Sequence, residues 1–537
     1  MDVEFLDTGS RKGNSGLREM KSQLQSLVRM ENRKYSMKRI VTMSVNLKRR
    51  AVRVLALCAI APLALPAQTF TTLVRFNVTD GWLPNGPLLQ SVQGDLYGTT
   101  YSGGATNYGT LFKMTPSGAL TPLYNFCPQG SIPSCPKGAY PTALIQDTQG
   151  NFYGTSSNGG TSYNGGSIFE ITPGGSITTI YTFPCPQSTT CPQGAGPSAL
   201  VVGPGGNFYG TTYEGGSGID GGTVFKITPS GALTTLHDFC PPETSCADGE
   251  QPTGLVLAPN GDFYGTTVSG GSGGAYGPGT VYRITPTGTL KTVYSFTCTE
   301  SSVCPHGARP TAPLLLAADG NFYGTTSSGG TYGEGTVFKI TPDGALTSLY
   351  SFCAQSGCPD GSAPSGALVQ GTDQNLYGTT PYGGAYAMNS TGGTIFQITP
   401  GGTLTTLHSF CSDAPNCTDG ENPAAGLTQD TNGDFYGTTP SGGGSYSAGT
   451  VFSLSVGLGP FVKLQPGSGK AGASAEILGS NLSGSTSVTF NGAAAVFTVV
   501  SNSLIAAIVP AGATSGTVEV VTPGGTLSSK VPFLVRP

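Results

Sequence analysis

The tetrapeptide Tyr-Gly-Thr-Thr, with one Tyr-Gly-Thr-Ser variant at Tyr153, begins at Tyr97, Tyr153, Tyr209, Tyr264, Tyr323, Tyr377 and Tyr436. The spacings are 56, 56, 55, 59, 54 and 59 residues. A period this regular marks an architecture in which each copy is one supersecondary unit that buries its apolar face against its neighbours. It also disposes of a tempting alternative. The segment "GNFYGTTSSGG" (320–330) has the glycine content of a phosphate-cradling loop, but such a loop serves one helix N-terminus and ends in Lys-Ser/Thr, which is missing here.

Residues 310–352 give the unit in full. Four β-prone runs separated by turn signals are expected at Leu314–Ala317, Phe322–Thr326, Thr336–Thr341 and Leu346–Phe352, and no stretch has helical periodicity. Four strands per repeat, seven times, predicts an all-β fold: a seven-bladed β-propeller. A parallel β-helix, which uses shorter coils, is the weaker alternative. The last repeat stops after "GTVFSLSVG" without its fourth strand, while "TFTTLVRF" (Thr69–Phe76) supplies a matching strand at the other end. The N-terminal strand is therefore expected to complete the seventh blade and so remove two sheet edges that would invite aggregation. Within the motif, Gly324 and its equivalents should permit close approach of another backbone, the flanking aromatic should fill space between blades, and the following Gly-Gly should supply left-handed turns.

Residues 43–67, "MSVNLKRRAVRVLALCAIAPLALPA", have the basic start, apolar stretch and small terminal residue of a secretory signal peptide, with cleavage expected after Ala67. Residues 1–42 are assigned to an upstream start-site extension, with Met37 as the other start, and Cys58 to the apolar stretch. Residues 1–67 hold 13 of the 25 Lys and Arg but only 5 of the 29 Asp and Glu, so the remainder carries 12 basic and 24 acidic residues, a net charge of −12. That balance excludes nucleic acid and disfavours an anionic membrane surface, since both need cationic side chains. No later apolar run approaches the roughly 18–20 residues that span a bilayer.

Twelve cysteines of the exported chain form close couples at one place in the repeat: Cys127/Cys135, Cys185/Cys191, Cys240/Cys246, Cys298/Cys304, Cys353/Cys358 and Cys411/Cys417. An even count in an exported protein points to six local disulfides. Zinc, the competing reading, needs four ligands, and only Cys304 has a histidine close by, His306.

The in-register pattern "YGTT…GG…GT(V/I/L)(F/Y)…ITP" over residues 69–457 resembles the tandem GloVer repeats of secreted bacterial proteins. That resemblance implies a repeat architecture with varied C-terminal modules and supplies no catalytic residues. Residues 458–537 contain "LQPGSGKAG", "ILGSNLSG", "VTFNG", "VPAGATSG" and "VTPGG" among alternating strands such as Ser487–Phe490 and Thr517–Val521. This tail is similar to an IPT/TIG immunoglobulin-like β-sandwich. The domains are thus expected at 68–457, the propeller, and 458–537, the sandwich.

Chemistry-bearing motifs are sparse. His237 and His408 occupy the place of Tyr350 in "LYSF", and His306 lies in a loop where other repeats carry Asp. No Ser/His/Asp set, carboxylate pair or metal-ligand spacing stands out, so no catalytic residue, metal or cofactor is assigned. Calcium stays open without a motif, because Asp262 and Asp434 read as turn residues and lack several closely spaced oxygen ligands. In a four-stranded blade the second-to-third and fourth-to-first connections emerge on one face. Here they are long and variable, and carry the cysteines together with Trp82, Tyr108, Tyr163, Tyr213, Tyr276, Tyr332, Tyr386 and Tyr446, the expected binding residues. The expected protein is a secreted or periplasmic, non-catalytic, monomeric scaffold recognising an extracellular glycan or protein. A lyase or glycan hydrolase with its site in the central channel is the alternative.

Overall fold

The computed structural model describes residues 68–536 apart from 129, 131–134, 148–150, 161–164, 173–174, 186–190, 218–220, 242–244, 300–302 and 388–390. The extension and leader assigned to residues 1–67 lie outside the described residues. Every regular element among the described residues is a β-strand except two single 3₁₀ turns, Pro204–Gly206 and Gly274–Tyr276.

Each repeat forms one antiparallel four-stranded sheet in sequential order, seven sheets in all among the described residues. In the fifth, the strands are Leu315–Leu316, Phe322–Thr326, Thr336–Ile340 and Leu346–Ser351, the first shorter than expected at both ends and the last two each one residue short. The seventh sheet is composite. Thr69–Arg75 lies antiparallel along Thr450–Ser455, with Thr69 opposite Ser455 and Arg75 opposite Thr450.

The repeated motif divides its work residue by residue. Phe322 and Tyr323 point to opposite faces of the second strand, as successive strand residues must. Phe322 enters the core shared with the preceding sheet and Tyr323 the core shared with the next. The tyrosine of one repeat therefore lies on the phenylalanine of the following one: Tyr97 on Phe152 at 4.0 Å between ring centroids, Tyr209 on Phe263 at 4.3 Å, Tyr264 on Phe322 at 4.2 Å and Tyr377 on Phe435 at 4.1 Å. Cores of this kind join every consecutive pair of sheets, and one further core places Tyr436 and Val451 of the seventh sheet with Leu96 and Phe112 of the first.

Gly324 corrects the expectation of a close backbone. A Cβ there would meet the Phe338 ring at 2.5 Å and the Leu314 side chain at 2.9 Å. Phe338 is its cross-strand partner, so the glycine makes room for an aromatic ring of its own sheet. The two hydroxyl residues then act in different directions. The first donates to a carbonyl of the following repeat: Thr99 to Thr142, Thr155 to Ser198, Thr211 to Thr253, Thr266 to Ala312, Thr325 to Gly366, Thr379 to Ala425, and finally Thr438 to Gly86 of the first repeat, at 2.7–3.3 Å. The second pairs with the hydroxyl that opens the third strand of its own sheet, as in Thr326 with Thr336 at 2.9 Å and Thr439 with Thr450 at 2.9 Å. These hydroxyls are buried, where an unpaired polar group would cost about 1–3 kcal/mol.

The C-terminal segment forms two further four-stranded sheets. One runs in the order Lys463–Gln465, Ser474–Leu478, Leu504–Ile508, Phe497–Ser501, and the other Ala493–Ala494, Ser487–Phe490, Val518–Thr522, Gly525–Ser528. Ile477, Val488, Phe490, Ile505, Val518, Val520 and Phe533 share one apolar core. Among the described residues no helix is long and apolar enough to cross a membrane.

Candidate binding surface

All six cysteine couples are disulfides: Cys127–Cys135, Cys185–Cys191, Cys240–Cys246, Cys298–Cys304, Cys353–Cys358 and Cys411–Cys417. Each closes part of the connection from a fourth strand to the next first strand. The carbonyl of the second cysteine then accepts from the following second-to-third loop, as Cys304 does from Gly330 and Cys417 from Gly443, so both kinds of loop share one rim. Loops held this way lose less entropy when ordered, and disulfides in such short loops contribute roughly 2 kcal/mol each. They also place the chain in an oxidising compartment. Two groups bring a glutamate to paired cysteines, Cys240/Cys246/Glu250 and Cys411/Cys417/Glu421, but their sulfurs are joined to each other and are not free to ligate a metal.

The aromatic residues on this rim differ in setting. Tyr276 is fully exposed, Tyr446 68%, Tyr332 51% and Tyr386 50%, while Tyr213 and Trp82 are just over a third exposed. Trp82 is held by a two-way backbone bridge to Ser102, and the Tyr213 hydroxyl donates to Gln251 Oε1 at 3.2 Å. Tyr108 is half-buried against the Cys127–Cys135 couple. Tyr163 lies outside the described residues. Tyr101 and Tyr140, absent from the expected set, stack at 4.7 Å with 19° between their planes.

The histidines are struts of the rim. His237 Nε2 meets Asp248 at 2.7 Å and His408 Nε2 meets Asp419 at 3.0 Å, while the equivalent Tyr350 hydroxyl donates to Asp360 at 2.8 Å. One role is thus filled by either ring. Asp262 and Asp434 are turn residues that accept from backbone or amide groups nearby, and Asp262 also pairs with Arg283 at 2.7 Å.

The opposite face, that of the tight turns, carries the C-terminal domain. Gln465 donates to the carbonyls of Gln146 and Asp147, Ser503 to that of Val92, and Lys530 to that of Gln370 at 2.6 Å, while Thr431 and Ser480 pair their hydroxyls. The domain therefore touches repeats 1, 2, 6 and 7 at the ends of their first strands. This junction holds ionised groups that repeat arithmetic does not announce. Burial pushes Asp430 up to about 6, although the Asn432 backbone and the Thr431 hydroxyl hydrogen-bond to it. Burial and then the like charge of Lys463 push Lys530 down to about 8. Lys463 is reached by solvent but enclosed by enough protein to hold its ammonium below the ordinary lysine range. Beside Asp430 runs a cleft of about 340 Å³ lined by Gln90, Thr431, Ser480, Asn481 and Asn502.

No curated protein matches the chain in sequence. Solved structures with similar chain paths include a streptogramin B lyase, with 16% identity over 73% of this chain and 99% of that one and a TM-score of 0.46. The extracellular domain of BT3049 from B. thetaiotaomicron shows 14% identity over 85% of this chain, which spans about half (54%) of that protein, with a TM-score of 0.45. A fungal alcohol oxidase of the AA5 family, in complex with copper, shows 13% identity over 87% of this chain and 99% of its own, with a TM-score of 0.46. Likeness at these levels carries no activity across. In sequence, residues 461–535 match the IPT/TIG domain, and the Gloeobacter/Verrucomicrobia repeat matches three overlapping stretches, 59–193, 134–305 and 272–496. With most of its length covered in this way, the chain belongs to the Gloeobacter/Verrucomicrobia repeat family and ends in an IPT/TIG domain.

Proposed function

We propose that the seven sheets close into a seven-bladed propeller and that the protein is an exported, non-catalytic, monomeric scaffold that binds an extracellular glycan through its disulfide-tethered rim. Support for closure comes from the core shared by Tyr436 and Leu96 and from the Thr438–Gly86 hydrogen bond, which repeat between the last and first sheets what joins every other pair. The observation that carries the functional reading is the asymmetry of the two faces. One displays exposed aromatic rings on tethered loops, and the other is occupied by the protein's own C-terminal domain. Tyrosine and tryptophan offer flat apolar faces to sugar rings and polar atoms to their hydroxyls, and loops ordered in advance lower the entropy lost on binding.

Replacement of Trp82, Tyr213 and Tyr332 by alanine, singly and together, tests the reading on a glycan and protein array. The triple variant should lose most of its binding, at least tenfold in Kd, with its melting curve nearly unchanged. Binding that survives the triple replacement would overturn the assignment of the rim. Chemical conversion of a bound glycan would identify a propeller enzyme instead.

A further inference from the structure

Six side chains at one structural position of the repeat are held in a backbone conformation that normally belongs to glycine. Leu83, Tyr140, Gln251, Arg309, Ala363 and Asn422 have φ between 54° and 59°, and the seventh equivalent, Gly196, has φ 62°. Each immediately precedes a proline, Pro84 to Pro423, that leads into the first strand of its sheet. The prolines have an architectural cause. Each sets its Cδ over the glycine before the third strand of the preceding repeat, as Pro141 does at Gly109 and Pro84 at Gly449, where an added Cβ would lie 2.6–2.7 Å away. The N–H of the left-handed residue donates to the same loop: Tyr140 to Tyr108, Gln251 to Gly221, Arg309 to Pro278, Ala363 to Glu334, Asn422 to Gly392, and Leu83 to Ala448. The conformation is thus required of every repeat, while the side chain is different in every repeat.

A left-handed non-glycine residue costs roughly 1 kcal/mol or more, and such residues gather where a side chain is needed for function. This chain has 83 glycines and places one at most of its left-handed positions, Gly196 among them. At the six positions equivalent to Gly196 it keeps a Cβ. Architecture explains the backbone and leaves unexplained the retention of leucine, tyrosine, glutamine, arginine, alanine and asparagine.

These residues sit where the rim meets the first strands, which are the strands that converge, since the approach segments of consecutive repeats touch: Gly254 lies against Pro313, and Gly426 against Ala367. Two of them are also coupled to the exposed residue that follows Tyr-Gly-Thr-Thr in the preceding repeat: Tyr101 stacks on Tyr140, and the Tyr213 hydroxyl donates to Gln251, while Ser327 of the same repeat donates to the Arg309 carbonyl. Arg309 is exposed and forms no ion pair among the described residues, in a chain whose net charge after the leader is −12.

Resting on the proposed glycan-binding rim, we infer that this set of left-handed residues at the mouth of the central channel is the site that reads the ligand, and that the ligand is a neutral polysaccharide chain. Phenol faces stack on sugar rings, and the Gln251 amide N–H groups, whose oxygen is held by Tyr213 and Ser269, serve hydroxyl groups together with the Arg309 guanidinium. The acidic field repels polyanions.

Gln251→Gly and Arg309→Gly, singly and together in the full chain, separate this from a packing role. Glycine relieves the backbone, so the melting temperature should hold or rise, while affinity for a soluble neutral probe (xylan, mannan or β-glucan oligosaccharides) should fall at least tenfold in the double variant. Polygalacturonate should not bind. Several results would overturn the inference: parental affinity in the double variant, a melting temperature that falls with affinity, or polygalacturonate binding as tightly as the neutral probes. If the glycine variants bind normally but the Trp82/Tyr213/Tyr332 triple variant does not, the channel-mouth site fails while the rim survives. If no neutral probe binds the parent protein, both fail.

Discussion

The second strands and the residues before the repeat prolines are two sets of seven equivalent positions, and they have opposite histories written in them. The second strand is Phe-Tyr-Gly-Thr-Thr or a near copy in every repeat, and its first five positions are buried throughout. The pre-proline position is occupied by seven different residues on one shared backbone conformation. Where every atom touches the next sheet, substitution is penalised on all sides at once. Where the contacts common to all repeats are made by the backbone, the side chain is free to differ.

The harshest way to break the comparison is to remove its seam. Deleting Thr69–Phe76 would strip the edge from Thr450–Ser455 and unstack Phe70 from His408, whose rings lie 3.7 Å apart and nearly parallel. The expected result is loss of soluble monomer by size-exclusion chromatography, not a shift in melting temperature. A smaller disturbance is Gly324→Ala. The new methyl would overlap Phe338 and Leu314, and overpacking of this kind destabilises by about 1–3 kcal/mol. Phe338→Leu in the same chain should recover part of that in denaturant titration, because it removes the ring that the glycine accommodates. A glycine substitution at Gln251 should have the reverse sign, which is the sharpest contrast between the two sets.

A weaker, pH-dependent effect tests the C-terminal junction. The pKa of folded Asp430, about 6, lies above the ordinary 3.8. The folded protein therefore binds a proton that the unfolded chain has released, and stability falls as pH rises through roughly 4 to 6. The contribution is on the order of 3 kcal/mol. Asp430→Asn should flatten that dependence in melting curves taken across the window, leaving the acid side near the parent and raising stability above about pH 6. A profile that keeps its slope would show that other carboxyls dominate it.

Much of this was legible because repetition amplifies weak signals. Four strands, a donated N-terminal strand and six local disulfides all follow from matching one repeat against the next. Three features escaped that method. The ring over Gly324 was missed because a strand glycine signals a near neighbour without saying whether it is backbone or side chain. The strained pre-proline residues were hidden because their identities share nothing, although the invariant proline beside them was a usable clue. The seating of the C-terminal domain depends on Gln465, Ser503 and Lys530 meeting carbonyls between 160 and 411 residues away, and no periodicity marks such contacts.

That seating has a mechanical meaning. In the closed ring proposed above, the C-terminal domain grips both sides of the joint, repeat 1 through Val92 and repeat 7 through Thr431. It behaves as a splint across a joint. Force that pulls those sheets apart must shear the domain from its bed as well as break the pairing of Thr438 with Gly86. Tension across that joint would therefore be shared between the joint and the splint.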